Sequence, residues 1–354
     1  MTDPYVRAWD DVAVRSRYGH VMQSIAWATQ RSSQGWNPAT VRIGEPLPMA
    51  NVLWRHFPLG FAIAYVPRGP IFDHQDPSQF DAALGALAEI ARRRKPIFLK
   101  VDPEIPVERA DLVSRYARHG FFRSAQDVQP VVATLEIDLA LDEERILAGL
   151  DKDTRWSVRA AERRGVVVAE RSDHDALKAF YRLYEETGRR AEFIVRPEFY
   201  YVQLWQRLVA DGHASLYVAI LDGEIVACAM LFWCGERAIY MYGASGEPGR
   251  RSHASYLLQW HCIREARRRG SARYDLGGVP VTPNGHDSMY GVYLFKKGFG
   301  GTRREFAGAY DIAPRPSLYR AWLALEPRLY VALARVRGRR ARLPITTYRA
   351  QGER

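Results

Sequence analysis

Two extended apolar segments joined by Asp222-Gly223 place the strongest constraint on the fold. An Asp-Gly pair between strand-like segments is a strong signal for a two-residue hairpin turn, so residues 216–221 and 224–233 are predicted to be antiparallel strands. Strands and helices alternate around this hairpin, with strands predicted at 166–170, 238–243 and 274–276 and helices at 176–187 and 256–269. This alternation predicts a mixed α/β (α+β) fold.

The order strand, helix, hairpin, strand, helix, strand between residues 166 and 301 resembles an acyltransferase domain of the GNAT type. Residues 139–164 are heavily charged and have helical spacing, and Gly165 stands where a helix C-cap is expected, so one long helix is predicted there. Residues 1–138 can be interpreted as a second, more divergent copy, with strands predicted at 62–65, 96–101 and 131–138 and a helix at 80–94.

The composition of the 354 residues excludes several classes of protein. With 47% hydrophobic residues the chain is globular, which excludes wholesale disorder, and its three cysteines exclude a disulfide scaffold. The longest apolar run, residues 225–234, is shorter than the roughly 20 residues of a membrane-spanning helix. Because the first residues also lack the basic and apolar regions of a secretory signal, a cytoplasmic protein is expected.

The net charge of +11 has two interpretations. It favours a polyanionic partner, such as a nucleic acid, a phosphorylated substrate or an anionic membrane surface, and it is equally compatible with a well-solvated Arg-rich surface. Only six of the 51 basic residues are Lys, so the adjacent pair Lys296-Lys297 is unusual against the chain's own background.

The sequence lacks the glycines that form the acetyl-CoA site of a GNAT acetyltransferase. Those enzymes cradle the CoA pyrophosphate on backbone amides at a helix N-terminus, and the approach depends on two glycines. Aligned on Leu258, this chain has His253 and Ser255 at the two glycine positions. The scaffold is thus predicted to be GNAT-like while the use of acetyl-CoA is disfavoured.

Seven short segments carry a more specific resemblance. They are Gln23-Ser-Ile-Ala-Trp27, Tyr65-Val-Pro-Arg68-Gly69-Pro70, Lys100-Val-Asp102-Pro103-Glu104, Thr154-Arg155 followed by residues 159–165, Thr187-Gly-Arg189-Arg190, Arg196-Pro197 followed by Tyr200-Tyr201, and residues 291–301. In this order they resemble the Fem family of aminoacyl-tRNA-dependent transferases, which extend peptidoglycan precursor side chains. The last segment is the most specific, because it is similar to the family's Phe-Lys-x-Gly-Phe-Gly-Gly motif.

The resemblance implies a fold and a reaction. It implies two tandem GNAT-like domains with a cleft between them: residues 1–145, completed by 308–354, and residues 146–307, which carry the Phe-Lys motif. An amine of the stem pentapeptide of a peptidoglycan precursor would attack the ester of an aminoacyl-tRNA. The ester is already activated, so no cofactor and no metal are expected. No insertion for the family's long helical arm is found, which indicates the compact form.

The partners implied are aminoacyl-tRNA and either UDP-MurNAc-pentapeptide or a lipid-linked precursor, and the protein is expected to act as a monomer. A natural-product ligase of the same family remains open, as do a GNAT N-acetyltransferase and a non-catalytic tRNA- or membrane-binding protein. The tail from Arg315 to Arg354 contains ten Arg and two Glu. It is interpreted as docking onto the first domain, contacting tRNA phosphates, or lying on anionic lipid at the inner membrane face.

The catalytic candidates are Lys296, with Phe295 beside it in the motif, and Asp102. A positioned ammonium at Lys296 would stabilise the tetrahedral oxyanion, and the glycines at 298, 300 and 301 suit close approach of a substrate backbone. We predict a strand end here, so that only one of Lys296 and Lys297 enters the site. Asp102 ends a strand and would orient the attacking amine or accept its proton. The alternative for Lys296 is a surface lysine without a catalytic role, and the alternative for Asp102 is an Asp-Pro cap of a turn.

The binding candidates follow from the same resemblance. Arg31 stands where the family places a Lys that contacts the nucleotide diphosphate, and Arg189 or Arg190 would supply the opposing contact across the cleft. Aromatic and basic residues that would contact uracil or the stem peptide are Tyr65, Arg68, Tyr200, Tyr242 and Tyr256. Residues that would face the tRNA are Arg155, Arg159 and Lys297. The alternatives are solvated arginines at helix ends, aromatic residues of the core, and a structural pair at Arg155 and Arg159.

Overall fold

The structure is a computed structural model that describes residues 4–128, 132–190, 195–283, 285 and 290–325. Its internal contacts divide the chain into two compact units. The first contains Met22–Val132, the described residues before Val14 and the described residues from Phe306 onward. The second contains Val14–Val21 and Ala133–Glu305.

The elements are numbered along the chain. The strands are β1 (Asn37–Arg42), β2 (Met49–His56), β3 (Ala62–Val66), β4 (Leu99–Val101), β5 (Phe122–Arg123), β6 (Ala133–Asp138), β7 (Val167–Arg171), β8 (Ala214–Leu221), β9 (Glu224–Cys234), β10 (Arg237–Ser245), β11 (Arg273–Val279), β12 (Thr302–Glu305) and β13 (Tyr310–Ile312). The helices are α1 (Pro4–Arg15), α2 (Ile25–Ser32), α3 (Pro77–Arg94), α4 (Ala110–Val113), α5 (Arg115–Arg118), α6 (Glu143–Ala148), α7 (Lys152–Arg163), α8 (His174–Arg190), α9 (Glu198–Ala210), α10 (Glu247–Arg251), α11 (Ala254–Arg268) and α12 (Tyr290–Lys297).

The first unit is built on a six-stranded sheet in the order β1-β2-β3-β4-β13-β5. Strands β3 and β4 are parallel, and α3 crosses between them. Asp76 caps the start of α3, and the helix buries one apolar face that includes Phe80, Leu84 and Leu87. Each such side chain contributes about 1.5–3 kcal/mol on burial. Because β13 pairs with β4 and β5, the chain after Phe306 completes this sheet.

The second unit is built on a seven-stranded sheet in the order β12-β6-β11-β10-β9-β8-β7. The predicted hairpin is present between β8 and β9, where Asp222 and Gly223 have φ of 51° and 81°, the left-handed pair that this type of turn requires. Helix α11 buries Leu258, Trp260 and Ile263 against the sheet. The strand and helix order of a GNAT domain is therefore realised in this unit.

The pairing of the parallel strands β10 and β11 stops early. It runs only from Arg237 opposite Arg273 to Ile239 opposite Asp275, although both strands continue beyond these residues. At the same level the pairing of β10 with β9 shifts register between Tyr240 and Tyr242. An opening thus forms within the sheet, and the candidate site of this unit lies there.

Two sequence-based predictions differ from the structure. The long helix predicted at 139–164 is two helices, α6 and α7. The chain leaves the helical path between them, where the amide of Asp151 donates to the carbonyl oxygen of Gly298 at 2.8 Å. The predicted domain boundary at 145/146 falls inside the second unit, since β6 pairs with β11 and β12. Likewise the second unit ends at Glu305 and not at residue 307.

The C-terminal tail is described only to residue 325, and its remainder lies outside the described residues. Residues 316–325 are helical, and the hydroxyl of Tyr319 donates to the buried carboxylate of Asp311 at 2.6 Å. Tyr319 and Trp322 pack against Phe98 of the first unit. For this part of the tail, the packing agrees with the interpretation that the tail docks onto the first domain. In the ranges that the structure describes, no helix has the length and apolarity needed to cross a membrane.

Candidate active site

Lys296 lies near the C-terminal end of α12, in the second unit. Its side chain is only 8% exposed, and Nζ donates a hydrogen bond to the carbonyl oxygen of Gly278 on β11 at 2.9 Å. The predicted strand end is wrong, because residues 290–297 are helical. Neighbouring helical residues point about 100° apart, and Lys297 is accordingly exposed while Lys296 is buried.

The buried position of Lys296 changes its acidity. Burial lowers the pKa of the ammonium to about 8, and the nearby charge of Asp275 acts in the opposite direction. Asp275 is itself held in place, since it accepts hydrogen bonds from the Thr134 hydroxyl and from the amide of Gly277. At neutral pH, Lys296 is therefore a cation in a largely dry environment, where a charge acts more strongly than in water.

A pocket of about 600 Å³ opens beside Lys296, and all its lining residues belong to the second unit. On one side it is lined by the part of β10 that no longer pairs with β11, at Tyr240 and residues 243–245. Residues that line it and bear on its chemistry are Arg190, Tyr240, His253, Tyr256, Phe295 and Lys296. The structure thus brings together four of the residues predicted from the sequence: Lys296, Phe295, Tyr256 and Arg190.

One wall of this pocket is aromatic. The ring of Tyr256 lies 5.1 Å from that of Phe295 and 6.0 Å from that of Phe299, and the two phenylalanine rings are 5.3 Å apart. These rings exclude water from the side of Lys296. An oxyanion formed next to Nζ would therefore be stabilised by the ammonium with little screening.

The glycines of the Phe-Lys motif have a structural role that differs from the predicted one. A Cβ on Gly300 or Gly301 would lie 2.7 or 2.8 Å from the carbonyl oxygens of Gly149 and Glu136. Gly298 lies against the Thr154 side chain in the same way. These glycines let the chain approach itself, and their substitution would displace α12 and its lysine.

Of the two candidate arginines at the end of α8, only Arg190 lines the pocket. Its guanidinium donates to the carbonyl oxygen of Ser245 at 3.3 Å, and burial together with the positive charge of Arg250 lowers its pKa. The carboxylate of Glu186 lies 3.8 Å from the Arg190 guanidinium and 3.4 Å from that of Arg250, so it already supplies an anionic partner to both. Arg189 is exposed and is not among the lining residues.

Two of the aromatic candidates belong to an aromatic cluster beside the pocket. Tyr242 packs against the rings of Tyr201 and Trp205, at 5.9 and 5.6 Å, and Tyr200 lies edge-on to Tyr201 at 5.1 Å. Tyr200 is buried. Neither Tyr200 nor Tyr242 lines the pocket. Their packing agrees with the alternative prediction, in which these tyrosines are aromatic residues of the core.

The candidates on α7 differ from each other. Arg155 donates to the carbonyl oxygens of Ala148 and Leu150 and so ties α6 to α7. Arg159 and Lys297 are exposed, and within the described part of the chain neither forms an ion pair. A residue that the sequence analysis missed lies between the two arginines: Trp156 is exposed, and its ring meets that of His253 edge-on at 5.1 Å. An aromatic residue within a run of charged helical positions was the available signal.

In the first unit, Asp102 lies just beyond β4 and is buried. Its carboxylate accepts hydrogen bonds from the Tyr65 hydroxyl at 2.7 Å and from the amide of Arg68 at 2.5 Å. Burial raises the pKa of this carboxyl to about 6, although the Arg68 charge and both hydrogen bonds act against the rise. The structure therefore joins three predicted residues, Tyr65, Arg68 and Asp102, in one hydrogen-bonded group.

The first two sequence segments support this group together. The Gln23 side chain donates to the carbonyl oxygen of Pro67 at 2.7 Å and accepts from the amide of Asn51 at 2.7 Å, which fixes the turn that carries Arg68. The Ser24 hydroxyl caps α2 by accepting from the amide of Trp27. Arg31 lies in the last turn of α2, partly exposed, and forms no ion pair with any described residue.

No metal-binding cluster is found in the described ranges: no group of three His, Cys, Asp or Glu residues there has the arrangement to hold a metal ion. The three cysteines are buried and form no disulfide with one another, and burial raises the pKa of Cys228 and Cys262 above the usual range.

Comparison with known families covers both units. Residues 8–120 match the model of the FemAB family, and residues 150–296 match that of the acetyltransferase (GNAT) domain. Residues 8–120 are therefore similar to the FemAB family, and residues 150–296 to the GNAT acetyltransferases. This confirms the predicted resemblance, the tandem GNAT-like fold and the predicted class of enzyme, an aminoacyltransferase.

Individual relatives cover most of this chain. The lipid II:glycine glycyltransferases of Staphylococcus aureus strains USA300 and COL are 24% identical to it, over 90% of this chain and 94% of theirs. The crystal structure of FemX superposes with a TM-score of 0.79 at 22% identity, covering 91% of this chain and 98% of FemX. The C-terminal domain of a putative lysylphosphatidylglycerol synthetase from Agrobacterium fabrum has a TM-score of 0.56 at 18% identity, covering 92% and 95%. Both structural likenesses concern the fold.

Proposed function

We propose that this enzyme transfers an amino acid from an aminoacyl-tRNA to an amine of the stem pentapeptide of a peptidoglycan precursor. The observation that carries the proposal is the buried ammonium of Lys296 at the wall of an aromatic pocket. The relatives named lipid II:glycine glycyltransferase support the precursor as the acceptor. Because charged tRNA is cytoplasmic, the enzyme would act in the cytoplasm or at the inner face of the membrane.

The reaction needs little beyond positioned charges. The stem amine attacks the ester carbonyl carbon, the carbonyl oxygen becomes an oxyanion, and the ammonium of Lys296 stabilises it. Collapse of the intermediate forms the amide bond and breaks the ester bond, and the ribose oxygen leaves with a proton. The amine loses that proton during the reaction, and Asp102 is our candidate for orienting the amine or receiving the proton. Phe295 would shield the intermediate from water.

The remaining candidates would bind substrates. Arg31 would contact the precursor diphosphate, and Arg190 rather than Arg189 would provide a second anion contact, since Arg190 lines the pocket. Tyr65, Arg68 and Tyr256 would contact the acceptor, whereas the packing of Tyr200 and Tyr242 favours a structural role. Arg159 and Lys297, which are exposed, would face the tRNA.

The decisive experiment is single-turnover transfer from a mixed pool of charged tRNAs. Each acceptor is offered separately: UDP-MurNAc-pentapeptide and the lipid-linked precursor. Formation of an aminoacylated precursor that depends on Lys296 supports the proposal and identifies the amino acid and the acceptor form. Transfer to neither acceptor, with binding of neither, would favour a FemAB-family ligase that uses a different amine.

A further inference from the structure

The outer face of α7 carries a tryptophan that packing does not require. The helix buries its other side through Thr154, Val158 and Ala161, whereas Trp156 is 53% exposed. A single exposed apolar side chain is ordinary on a protein surface. What distinguishes Trp156 is its surroundings, which are basic side chains on one side and the rings that line the pocket on the other.

The face around Trp156 is basic. Lys152 lies four residues before Trp156, and Arg159 and Arg163 lie three and seven residues after it. At these spacings all three share the side of the helix that carries Trp156. None of the three forms an ion pair with any described residue. The neighbouring arginines are engaged elsewhere, since Arg164 donates to the carbonyl oxygen of Arg251 at 2.7 Å. Asp153 lies at the edge of this face.

A line of aromatic rings connects this face to the candidate catalytic lysine. The Trp156 ring meets that of His253 edge-on at 5.1 Å, and the His253 ring lies 6.0 Å from that of Tyr256. Tyr256 in turn lies 5.1 Å from Phe295, the residue before Lys296. His253 and Tyr256 both line the pocket, so Trp156 stands at its outer edge.

We infer that the face formed by Lys152, Trp156, Arg159 and Arg163 binds the single-stranded 3′ end of an RNA, with one base stacked on Trp156. Proteins recognise single-stranded RNA by stacking bases on aromatic rings while basic side chains hold the phosphates, and this face offers both groups. The inference rests on the proposed function, since an RNA held here would carry its terminal ester toward Lys296.

A membrane is the less suitable partner for this face. A helix that lies on a bilayer buries a broad apolar side in the lipid. Among the described residues of α7, Trp156 is the exposed large apolar side chain, and charged residues surround it. One flat ring between cations matches a stacked base more closely than it matches a layer of lipid.

The test is a set of binding titrations with an RNA hairpin that ends in single-stranded CCA, and with the same hairpin trimmed of those nucleotides. Full-length protein is compared with Trp156→Ala, Trp156→Phe and Arg159→Ala over a salt series. Phe199→Ala and Arg118→Ala are matched controls, because both residues are exposed and lie outside α7. Thermal unfolding of each variant verifies that it is folded.

We expect Trp156→Ala to weaken binding of the CCA hairpin by about tenfold to a hundredfold and to leave the salt dependence unchanged. Trp156→Phe should bind within about threefold of the unaltered protein. Arg159→Ala should reduce the slope of log affinity against log salt by about 0.7. The trimmed hairpin should bind the unaltered protein weakly, and Trp156→Ala should not lower that affinity further. The two control variants should bind both hairpins with the affinity of the unaltered protein.

Four outcomes would overturn the inference. Unchanged affinity in Trp156→Ala, with the unaltered protein binding the hairpin, would overturn the inference and leave the proposed function intact. An equal loss on the trimmed hairpin would place the contact on the duplex. In parallel titrations with anionic phospholipid vesicles, a loss of binding confined to the vesicles would assign the face to lipid. If the unaltered protein binds no RNA and performs no transfer, the proposed donor is wrong and the inference is wrong with it.

Discussion

The Nζ of Lys296 lies 2.9 Å from the carbonyl oxygen of Gly278, on the strand whose pairing with β10 stops at Asp275. The interrupted sheet therefore both opens the pocket and supplies the hydrogen-bond acceptor that orients the lysine. A single neutral oxygen compensates little of the cost of burying an ammonium group. The nearby charge of Asp275 offsets part of that cost, and under the proposed function the oxyanion formed when substrate reacts would offset more.

Replacing Lys296 by Met should separate activity from stability. We expect a loss of roughly 3–4 kcal/mol of transition-state stabilisation, comparable to the removal of an oxyanion donor, with precursor affinity little changed. The free energy of unfolding at neutral pH should not fall, because Met removes a buried charge and keeps its apolar stem. Single-turnover rates and denaturant unfolding measure the two effects. Lys297→Met is the control, and loss of turnover in that variant alone would reverse the assignment.

The pH dependence of transfer should report the Lys296 ammonium. Its pKa of about 8 lies below the usual 10.5, so the rate should decline as the pH rises through about 8. The sign for stability is opposite: between about pH 8 and 10.5 the unfolded chain binds more protons, so this group makes the protein more stable as the pH rises. Rate profiles and unfolding at a series of pH values test both. A rate that rises through pH 8 would mean that the neutral amine is the active form.

Asp102 should show its raised pKa in stability. Because the folded-state pKa is about 6 against a usual 3.8, the folded protein binds more protons between these values. Its contribution to the free energy of unfolding should therefore fall as the pH rises from about 4 to 6, by up to about 3 kcal/mol. Asp102→Asn should lack this dependence and transfer slowly while still binding precursor. Full transfer activity in Asp102→Asn would restrict the residue to the alternative role of a turn cap.

Acetyl-CoA should not bind at physiological concentrations. His253 has the left-handed φ of 61° immediately before α11, and its side chain lines the pocket at the position where a pyrophosphate would meet the helix N-terminus. Isothermal calorimetry with acetyl-CoA measures this directly. A micromolar dissociation constant would contradict the prediction and restore the acetyltransferase alternative.

Arg31→Ala should weaken binding of the UDP-linked precursor and leave binding of aminoacyl-tRNA unchanged. A diphosphate neutralises few charges, whereas an RNA releases more counterions, so aminoacyl-tRNA should show the clearly steeper salt dependence. Paired titrations across a salt series, on the unaltered protein and on Arg31→Ala, test both statements. Equal slopes for the two ligands would mean that the surplus of +11 charges only solvates the surface.

The local pattern of the sequence was sufficient for several of the elements and for the family resemblance. The Asp222-Gly223 turn, the helix predicted at 80–94 and the Phe-Lys motif depend on residues close together in the chain, and such signals can be interpreted without a structure. In the structure this helix begins three residues earlier, at Pro77. The same signals were misleading where a distant partner decided the conformation. Residues 139–164 have one helical pattern, and the bond from Asp151 to Gly298 divides them into two helices.

The chemistry of the site was decided by tertiary structure. The sequence by itself determined that a lysine stands in a Phe-Lys-x-Gly-Phe-Gly-Gly segment, that an aspartate follows a short strand, and that the surplus charge is positive. Only the fold buries Lys296 and Asp102, selects Arg190 over Arg189 for the pocket, and places Trp156 at its edge. The physical reason is that burial, and with it the pKa and the strength of a charge, depends on side chains contributed by residues far apart in the sequence.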